Sequence, residues 1–222
     1  MKLSGSALKL IAAGTMLADH IAGVFLDPGS AVAIILHLIG RISFPLILFL
    51  LVEGFCRTSS LKKYLLRLSI FAVISEIPYD LCFGGKMWEA NNTLFTLVAA
   101  LIALWVIRDV EIGAKAWIKM TFKVLLVGLL AFVTYLIKSD YAVIGVAGAC
   151  AFYLLRFDRI KASAANAAIL SVYSLYELPA FLTVPLIWKY NGERGKLPKY
   201  FFYVFYPVHL LVLWAIWKLI SG

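Results

Sequence analysis

The sequence predicts an all-α protein, a polytopic bundle of about eight transmembrane helices that forms one integral-membrane domain over residues 1–222. Hydrophobic residues make up 63% of the chain and charged residues only 15%, whereas a soluble domain is roughly half apolar and a quarter charged. The mean hydropathy is +0.93. Apolar runs of about 20 residues, the length that crosses a bilayer, recur between short polar segments. The lipid bilayer is therefore the expected surroundings of most of the chain.

Turn and capping signals separate the first four predicted spans. The first runs from about Ala7 to Leu26 and stops at the turn sequence DPGS. The second, Ala31 to Phe55, contains Pro45, which we expect to kink the helix. The third begins near Leu61, is interrupted at SEIP and is followed by a turn at residues 82–86. The sequence NNT predicts a turn and an N-cap for the fourth span, Leu94 to Ile107.

The second half of the chain contains the other four predicted spans. The fifth is Ala116 to Ile137, and the sixth, Tyr141 to Leu155, is short and rich in small residues that let helices pack closely. Ala162 to Trp188 is one long apolar run, which we expect to cross once. The last span, Tyr200 to Ile220, opens with FFYVFYP, an aromatic cluster typical of a membrane interface.

The basic residues are interpreted as topology signals. The formal net charge is +9, but the Lys and Arg residues lie in short loops rather than on a polar face, so nucleic acid is not an expected partner. Lys2 and Lys9 favour a cytoplasmic N-terminus. A single crossing by Ala162–Trp188 places the basic loop 189–199 outside, against the positive-inside rule. The alternative is that this run breaks at Pro179 and returns to the cytoplasmic side.

Two other features resemble known signals without satisfying them. The chain contains three widely spaced cysteines, Cys56, Cys82 and Cys150. None belongs to a C-x-x-C pair, so neither a metal site nor a disulfide framework is expected. Met1 to Ala18 resembles a signal peptide, but Asp19 and His20 stand where a small-residue cleavage site is required, so we expect the segment to be retained.

Ionisable side chains inside apolar runs are costly in hydrocarbon and therefore indicate function. At about 1.5 Å of rise per residue, one group converges in the middle to outer half of the bundle: His20, Arg41, Glu76, Glu177 and His209. A second group gathers near the cytoplasmic end: Glu53, Lys62, Lys63, Tyr64 and Arg67. This division is typical of a two-substrate enzyme that takes an anionic cofactor from inside and an acceptor from deeper in, or from outside.

His20 is the expected general base. Its imidazole titrates near neutral pH and can take a proton from an attacking amine or hydroxyl. Asp19 precedes it, although adjacent helical side chains diverge by about 100° and need not touch. The alternative for His20 is a hydrogen-bonded structural group, and His209 is an alternative base.

The other candidate residues each have two interpretations. Arg41 either stabilises charge in the active site or forms a salt bridge with Glu53 or Glu76. Glu76 and Glu177 each precede a proline in an E-x-P sequence, and each either accepts from His20 or satisfies kinked backbone. The loop residues proposed for substrate binding, with a solvated turn as the alternative, are Asn191, Glu193 and Arg194. The basic residues at the cytoplasmic end are either topology signals or cofactor ligands.

Several separated motifs resemble one family nearly end to end. These are LKLIAAGTMLADHIAGVF, IGRISFPLILFLLVEGF, YLLRLSIFAVISEIPYDL, YNGERG and FFYVFYPVHLLVL. Together they resemble the TraX family, named for a conjugative-plasmid protein needed for N-terminal acetylation of F pilin. The order of a histidine, an FPxxxFL run, an arginine and a YPxH sequence is similar to the wider group of membrane acyltransferases that use acetyl-CoA. A second arginine that those enzymes often carry in the third span has no counterpart here beyond Lys63.

The resemblance implies acetyl transfer from cytoplasmic acetyl-CoA to an amine or hydroxyl of a peptide or glycan, in the cytoplasmic membrane of a bacterium. It implies His20 as base and Arg41 near the developing oxyanion. Arg67 and Lys63, with Tyr64 and Glu53 at the same end, are then the expected cofactor-binding residues. A transporter that uses the buried charges as a proton or ion relay is the alternative function.

Overall fold

A computed structural model describes residues 2–83 and 90–221 of the chain. Within these ranges the secondary structure consists of ten α-helices and one 3-10 helix. The α-helices are α1 Gly5–Phe25, α2 Ala31–Gly40, α3 Ser43–Arg57, α4 Leu61–Phe83, α5 Thr93–Asp109, α6 Ala116–Leu136, α7 Ala142–Leu154, α8 Arg159–Tyr173, α9 Thr183–Trp188 and α10 Phe201–Ser221. The 3-10 helix is Leu175–Leu182, directly before α9. The all-α prediction is confirmed.

Four helical segments have the length and hydropathy of a membrane span: Gly5–Phe25, Ala31–Arg57, Ala116–Leu136 and Phe201–Ser221. The other helices are shorter or less apolar, so the predicted count of eight spans is not confirmed. Large apolar side chains cover the outside of α6, where Leu125 is 67% exposed and Met120 is 65% exposed. A surface of this kind is typical of a protein in contact with lipid.

The centre of the bundle lies between α3 and α5, whose apolar side chains form the largest buried cluster together with α1, α7 and α8. Small residues of α7 allow this packing. A Cβ added to Gly145 would lie 2.4 Å from Cγ2 of Thr96, and one added to Gly148 would lie 2.3 Å from Nδ2 of Asn166. The predicted use of small residues in the sixth span is confirmed, because larger ones would separate α7 from α5 and α8.

Two predicted interruptions have different outcomes. The second span breaks between α2 and α3, at Arg41 and Ile42, and Pro45 occupies the first turn of α3, where a missing N–H costs no helical hydrogen bond. The predicted interruption at Pro78 is wrong, since α4 includes this proline and reaches Phe83. The helix α4 packs against α5 and α10, and neighbouring helices can accommodate a proline within a helix. The turn predicted at residues 82–86 lies mostly outside the described residues.

The run Ala162–Trp188 does not cross once, and that prediction is wrong. The helix α8 ends at Tyr173, and Ser174 is extended, with φ −158° and ψ 142°. The Oγ of Ser174 accepts from the backbone N–H of Tyr176 at 3.1 Å and caps the 3-10 helix. That helix and α9 pack back against α8. The run therefore breaks at Ser174 rather than at Pro179 and returns the chain toward its start.

Backbone hydrogen bonds place the loop after α9 beside the N-terminus. The N–H of Leu3 donates to the carbonyl oxygen of Lys189 at 2.8 Å, and the N–H of Gly5 donates to that of Glu193 at 2.7 Å. Arg57, at the end of α3, donates from Nη1 to the carbonyl oxygen of Gly192 at 2.6 Å. We call this side of the bundle the basic end, and the side with the C-terminus of α1 and Tyr173 the distal end. The basic loop 189–199 therefore lies on the same side of the bundle as Lys2 and the N-terminus, and it no longer conflicts with the positive-inside rule if that side is cytoplasmic.

Candidate functional site

Five polar side chains from four parts of the chain form one network near the distal end, here called the Arg41 network. Arg41 donates from Nη2 to Oδ1 of Asp19 at 2.9 Å and from Nη1 to Oε1 of Glu177 at 3.0 Å. The hydroxyl of Tyr141 lies 3.3 Å from the same Nη1. Nδ1 of His37 lies 2.8 Å from Oδ1 of Asp19. One guanidinium therefore bridges two carboxylates on separate helices.

The network contains more carboxylates than guanidinium groups. Asp19 and Glu177 share the single guanidinium of Arg41. The Glu177 side chain is only 6% exposed. Its second oxygen, Oε2, is buried and has no hydrogen-bond partner within the described part of the chain. Leaving a buried carboxylate oxygen unpartnered is costly, so this atom is available to a ligand that donates a hydrogen bond.

Local sequence explains how the network assembles. His37 and Arg41 are four residues apart, so they lie on one face of α2, and Nε of Arg41 donates back to the carbonyl oxygen of His37 at 3.2 Å. Gly40 allows α1 to approach this face, because a Cβ at that position would lie 2.4 Å from Cβ of Asp19. The close packing of α1 on α2 therefore depends on glycine.

A histidine pair adjoins the network. Nδ1 of His20 lies 2.7 Å from Nε2 of His209, and the two rings stack with centroids 4.9 Å apart. Nδ1 of His209 lies 2.8 Å from the carbonyl oxygen of Phe205, which can only accept. When both rings are neutral, this bond assigns the proton of His209 to Nδ1 and that of His20 to its own Nδ1. Nε2 of His20 then carries the free lone pair.

A cavity of about 480 Å³, here called the basic cavity, leads from the basic end toward this pair. Its five cationic lining residues are Lys9, Arg57, Arg67, Arg194 and Lys199. No carboxylate lines it among the described residues. Its inner part is mostly apolar and reaches Met16, one helical turn before His20, and Tyr206, whose ring lies 6.5 Å from that of His20. The cavity combines five cationic side chains with an apolar interior that comes close to His20, which does not itself line it.

A second cavity of about 450 Å³, here called the distal cavity, lies on the other side of the Arg41 network. It is lined by Pro28, Ile34, His37, Arg41, Tyr173, Ser174, Tyr176 and Glu177. Tyr173 and Tyr176 are 77% and 57% exposed, so they lie at its outer rim. Three members of the Arg41 network, His37, Arg41 and Glu177, thus line the distal cavity, and the two cavities lie toward opposite ends of the bundle.

The predicted convergence of ionisable residues is found in part. His20 meets His209 rather than a carboxylate, while Asp19 and Glu177 bind Arg41. Glu76 is 1% exposed and lies outside the network. Its Oε2 accepts from the backbone N–H of Asn92 at 3.1 Å and from the Asn92 side chain. Asn92 in turn caps α5 as predicted, accepting from the N–H of Leu94 at 3.0 Å.

The residues predicted near the cytoplasmic end also divide. Tyr64, Arg67 and Arg194 line the basic cavity. Lys63 is exposed and lines neither cavity, and Glu53 pairs with Arg57 on the next turn of α3. Asn191 and Glu193 bind each other, with Nδ2 of Asn191 donating to Oε2 of Glu193 at 2.9 Å, which is the geometry of a closed turn.

Two members of the Arg41 network, His37 and Tyr141, were not predicted from the sequence. The spacing of His37 and Arg41 was a usable signal, since residues four apart share a helix face. Tyr141 had no such signal, because it lies 100 residues from Arg41 in the chain. Its backbone has φ 59°, a left-handed conformation that turns the chain into α7.

Comparisons with known proteins agree with the motifs. The model of the TraX protein family matches residues 4–217. The probable fimbrial assembly protein FimC of serogroup H1 from Dichelobacter nodosus is 32% identical over 230 residues, which cover 95% of this chain and 94% of the relative. No solved structure matches the chain. A family match over nearly all of the chain, together with this relative, shows that the chain belongs to the TraX protein family.

Proposed function

We propose that this chain is an acetyltransferase of the bacterial cytoplasmic membrane that moves an acetyl group from acetyl-CoA to an amine or hydroxyl. The observation that supports it most is the basic cavity, which five cations and no carboxylate line among the described residues, and whose apolar interior approaches His20 at Met16 and Tyr206. Coenzyme A has the same polarity along its length, with phosphates at one end and a thioester at the other. We therefore assign the cavity to the donor.

The dimensions suit this assignment. Lys9 lies about 16 Å before His20 along α1, and Met16 about 6 Å before it, at about 1.5 Å per residue. When the cations at the mouth hold the phosphates of coenzyme A, the extended arm that carries the thioester can reach inward along apolar side chains. Nε of Arg67 is buried without a hydrogen-bond partner among the described residues. A phosphate oxygen would satisfy it.

The chemistry follows from the histidine pair. Nε2 of His20 takes the proton of the acceptor nitrogen or oxygen as that atom attacks the thioester carbonyl. The new C–N or C–O bond forms, the C–S bond breaks, and the proton passes from His20 to the departing thiolate. Direct transfer is the simpler mechanism, because no Ser or Cys is paired with a histidine among the described residues. Arg41 holds Asp19 and Glu177 beside the reaction centre.

The biological role we infer is in fimbrial assembly. The relative from Dichelobacter nodosus is named as a probable fimbrial assembly protein and matches nearly the full length of both chains. An acetylated fimbrial subunit is then one product that fits a peptide acceptor. An N-terminal amine has an ordinary pKa near 8, so much of it is protonated at neutral pH and needs a base before it can attack.

The test is release of free thiol from acetyl-CoA by the purified protein in detergent, with tri-alanine and glucosamine as acceptor probes. We expect release that falls by at least about 100-fold in His20→Gln. Arg67→Gln is expected to raise the KM for acetyl-CoA about tenfold through the lost charge-assisted contact. Lys161→Gln is the matched control, because that side chain is 75% exposed and lines neither cavity. Normal turnover in a folded His20→Gln variant would remove this mechanism.

A proton- or ion-coupled transporter is the second candidate. One observation favours it: ionisable side chains line both cavities, which lie toward opposite ends of the bundle. This function predicts proton movement across sealed vesicles under an imposed gradient and no thiol release from acetyl-CoA. Thiol release without proton movement would exclude it.

A further inference from the structure

We propose that the distal cavity receives the acetyl acceptor, so that donor and acceptor reach His20 from opposite sides of the membrane. Within it, Glu177 accepts a hydrogen bond from the N–H or O–H group that is to be acetylated. This inference rests on the proposed acetyltransferase function and adds the side of access and the acceptor-binding carboxylate.

The position of the distal cavity carries the first step. Pro28 follows the C-terminal end of α1, whereas the cationic mouth of the basic cavity includes Lys9 near the start of that helix. The helix α1 has 21 residues and is therefore about 31 Å long, the thickness of the hydrocarbon core. The two mouths thus lie on opposite sides of a membrane that surrounds the bundle. Donor and acceptor can therefore be bound at the same time, each in its own cavity.

The unpartnered oxygen of Glu177 carries the second step. The residue is 4% exposed, and its Oε1 is occupied by Arg41, while Oε2 has no partner within the described residues. Glu177 and Arg41 both line the distal cavity. An ionised carboxylate only accepts hydrogen bonds. The ligand group that satisfies this atom must therefore donate one, as an amine, ammonium or hydroxyl does.

The Arg41 network lies between this cavity and the part of α1 that carries the proposed base, although His20 itself lines neither cavity. Asp19 is adjacent to His20 on α1, and its carboxylate binds His37 and Arg41, which both line the distal cavity. An acceptor that entered beside Glu177 would be on the same side of α1 as Asp19. During transfer its proton passes to Nε2 of His20, its nitrogen or oxygen bonds to the acetyl carbon, and the C–S bond to CoA breaks. The thiolate then takes that proton and leaves through the basic cavity.

The sidedness is tested first without any acceptor, by cysteine labelling. The cysteine-free background is Cys56→Ser, Cys82→Ala and Cys150→Ala. Into it we introduce Tyr176→Cys in the distal cavity or Ser59→Cys in the basic cavity. A membrane-impermeant maleimide should label Tyr176→Cys in spheroplasts and Ser59→Cys in inside-out vesicles. Acetyl-CoA should protect only the latter. Labelling of both from one side, or protection of both, would overturn the inference.

The second test uses sealed proteoliposomes with tri-alanine or glucosamine as impermeant probes. Acetylated probe should form when acetyl-CoA is inside and the probe is outside, through the molecules whose basic end faces inward. It should not form in either orientation when both substrates are outside. Detergent should restore transfer in the second sample. Equal transfer with both substrates outside would overturn the inference while leaving the acetyltransferase intact. Transfer to neither probe in detergent would also overturn the inference. A separate measurement of acetyl-CoA binding would then show whether the basic cavity still binds the donor.

Variants test the acceptor contact. Glu177→Gln should raise the KM for the probe about tenfold or more and leave the KM for acetyl-CoA unchanged. Tyr176→Ala, which removes an exposed rim side chain and spares the ion pair with Arg41, should also raise only the probe KM. Tyr135→Ala is the matched control, since Tyr135 is 63% exposed and lines neither cavity. Unchanged probe KM in both Glu177→Gln and Tyr176→Ala would overturn the assignment.

Discussion

Nδ1 of His20 lies 2.7 Å from Nε2 of His209, although the two residues are 189 positions apart in the chain. The other nitrogen of His209 is bound to the carbonyl oxygen of Phe205 at 2.8 Å. In the proposed mechanism His209 sets the proton position of His20, because its Nε2 accepts from Nδ1 of His20 while its own Nδ1 donates to the backbone. The assignment of His209 as an alternative base stays a prediction.

Replacement of His209 should separate its positioning role from packing. In His209→Leu the Nδ1 proton of His20 loses its acceptor, so both neutral tautomers become populated, and we expect kcat to fall roughly 10- to 100-fold. His209→Gln keeps an oxygen that can accept and should recover most of the activity. Imidazole ¹⁵N chemical shifts measure the tautomer directly and need no substrate. An unchanged His20 tautomer in His209→Leu would contradict the assignment.

The ion pairs of Arg41 should be strongly coupled. Arg41→Gln leaves Asp19 and Glu177 without their shared cation, and we expect a loss of about 2–4 kcal/mol in the free energy of unfolding. The free energy of unfolding of Arg41→Lys should lie between those of the native protein and Arg41→Gln, because one ammonium keeps the charge but cannot form the same bridging contacts. The loss is measured by titration with a denaturing detergent.

A double-mutant cycle provides the control for this prediction. Arg41→Gln combined with Glu177→Gln should be less destabilising than the sum of the single changes, by about 1–3 kcal/mol. Strict additivity would show that the contact of 3.0 Å contributes no specific interaction energy.

Gly40 should be intolerant of a side chain. Gly40→Ala places a Cβ 2.4 Å from Cβ of Asp19, so α1 and α2 must separate, and we expect a loss of about 1–3 kcal/mol in the free energy of unfolding. The same change at Gly14, where an added Cβ meets nothing within 4 Å, should instead stabilise α1 by about 0.5–1 kcal/mol. Similar effects at both positions would contradict the close packing of α1 on α2.

The N-cap of α8 should give a pH-dependent contribution to stability. The backbone N–H of Lys161 donates to Oδ1 of Asp158 at 3.1 Å, and this bond lowers the pKa of Asp158 below its ordinary value. The stabilisation is therefore fully present above the ordinary pKa and is lost as pH falls through the lowered one. Asp158→Asn keeps the capping oxygen without a charge. Thermal unfolding of both forms should converge in acid, and a constant difference at all pH values would contradict this.

Local signals in the sequence were sufficient for much of the fold. The apolar composition predicts the all-α class, because only helices satisfy their own backbone in lipid within a chain of such segments. Turn residues placed α6 and α7 within a residue or two of their observed bounds, and Asn92 was recognised as a cap from its type and position. These features depend on residues close together in the chain.

Other features depended on the tertiary structure. The break at Ser174 was missed because a run of apolar residues carries no sign of where its two halves pack against each other. The continuity of α4 through Pro78 was also missed, because the local sequence does not show that α5 and α10 pack against this helix. The pairing of His20 with His209 could not be predicted without knowing how α1 is rotated about its axis relative to α10, since adjacent side chains on a helix point about 100° apart.

Composition and motifs are enough to identify a helical membrane protein of the TraX family with ionisable groups in its apolar segments. The folded arrangement shows which of these groups meet, that Arg41 binds Asp19 and Glu177, and that two cavities lie toward opposite ends of the bundle. Hydropathy can be read from the sequence because it acts through composition and spacing along the chain. Charge pairing and cavities arise from contacts between helices, whose rotation and order no local pattern specifies.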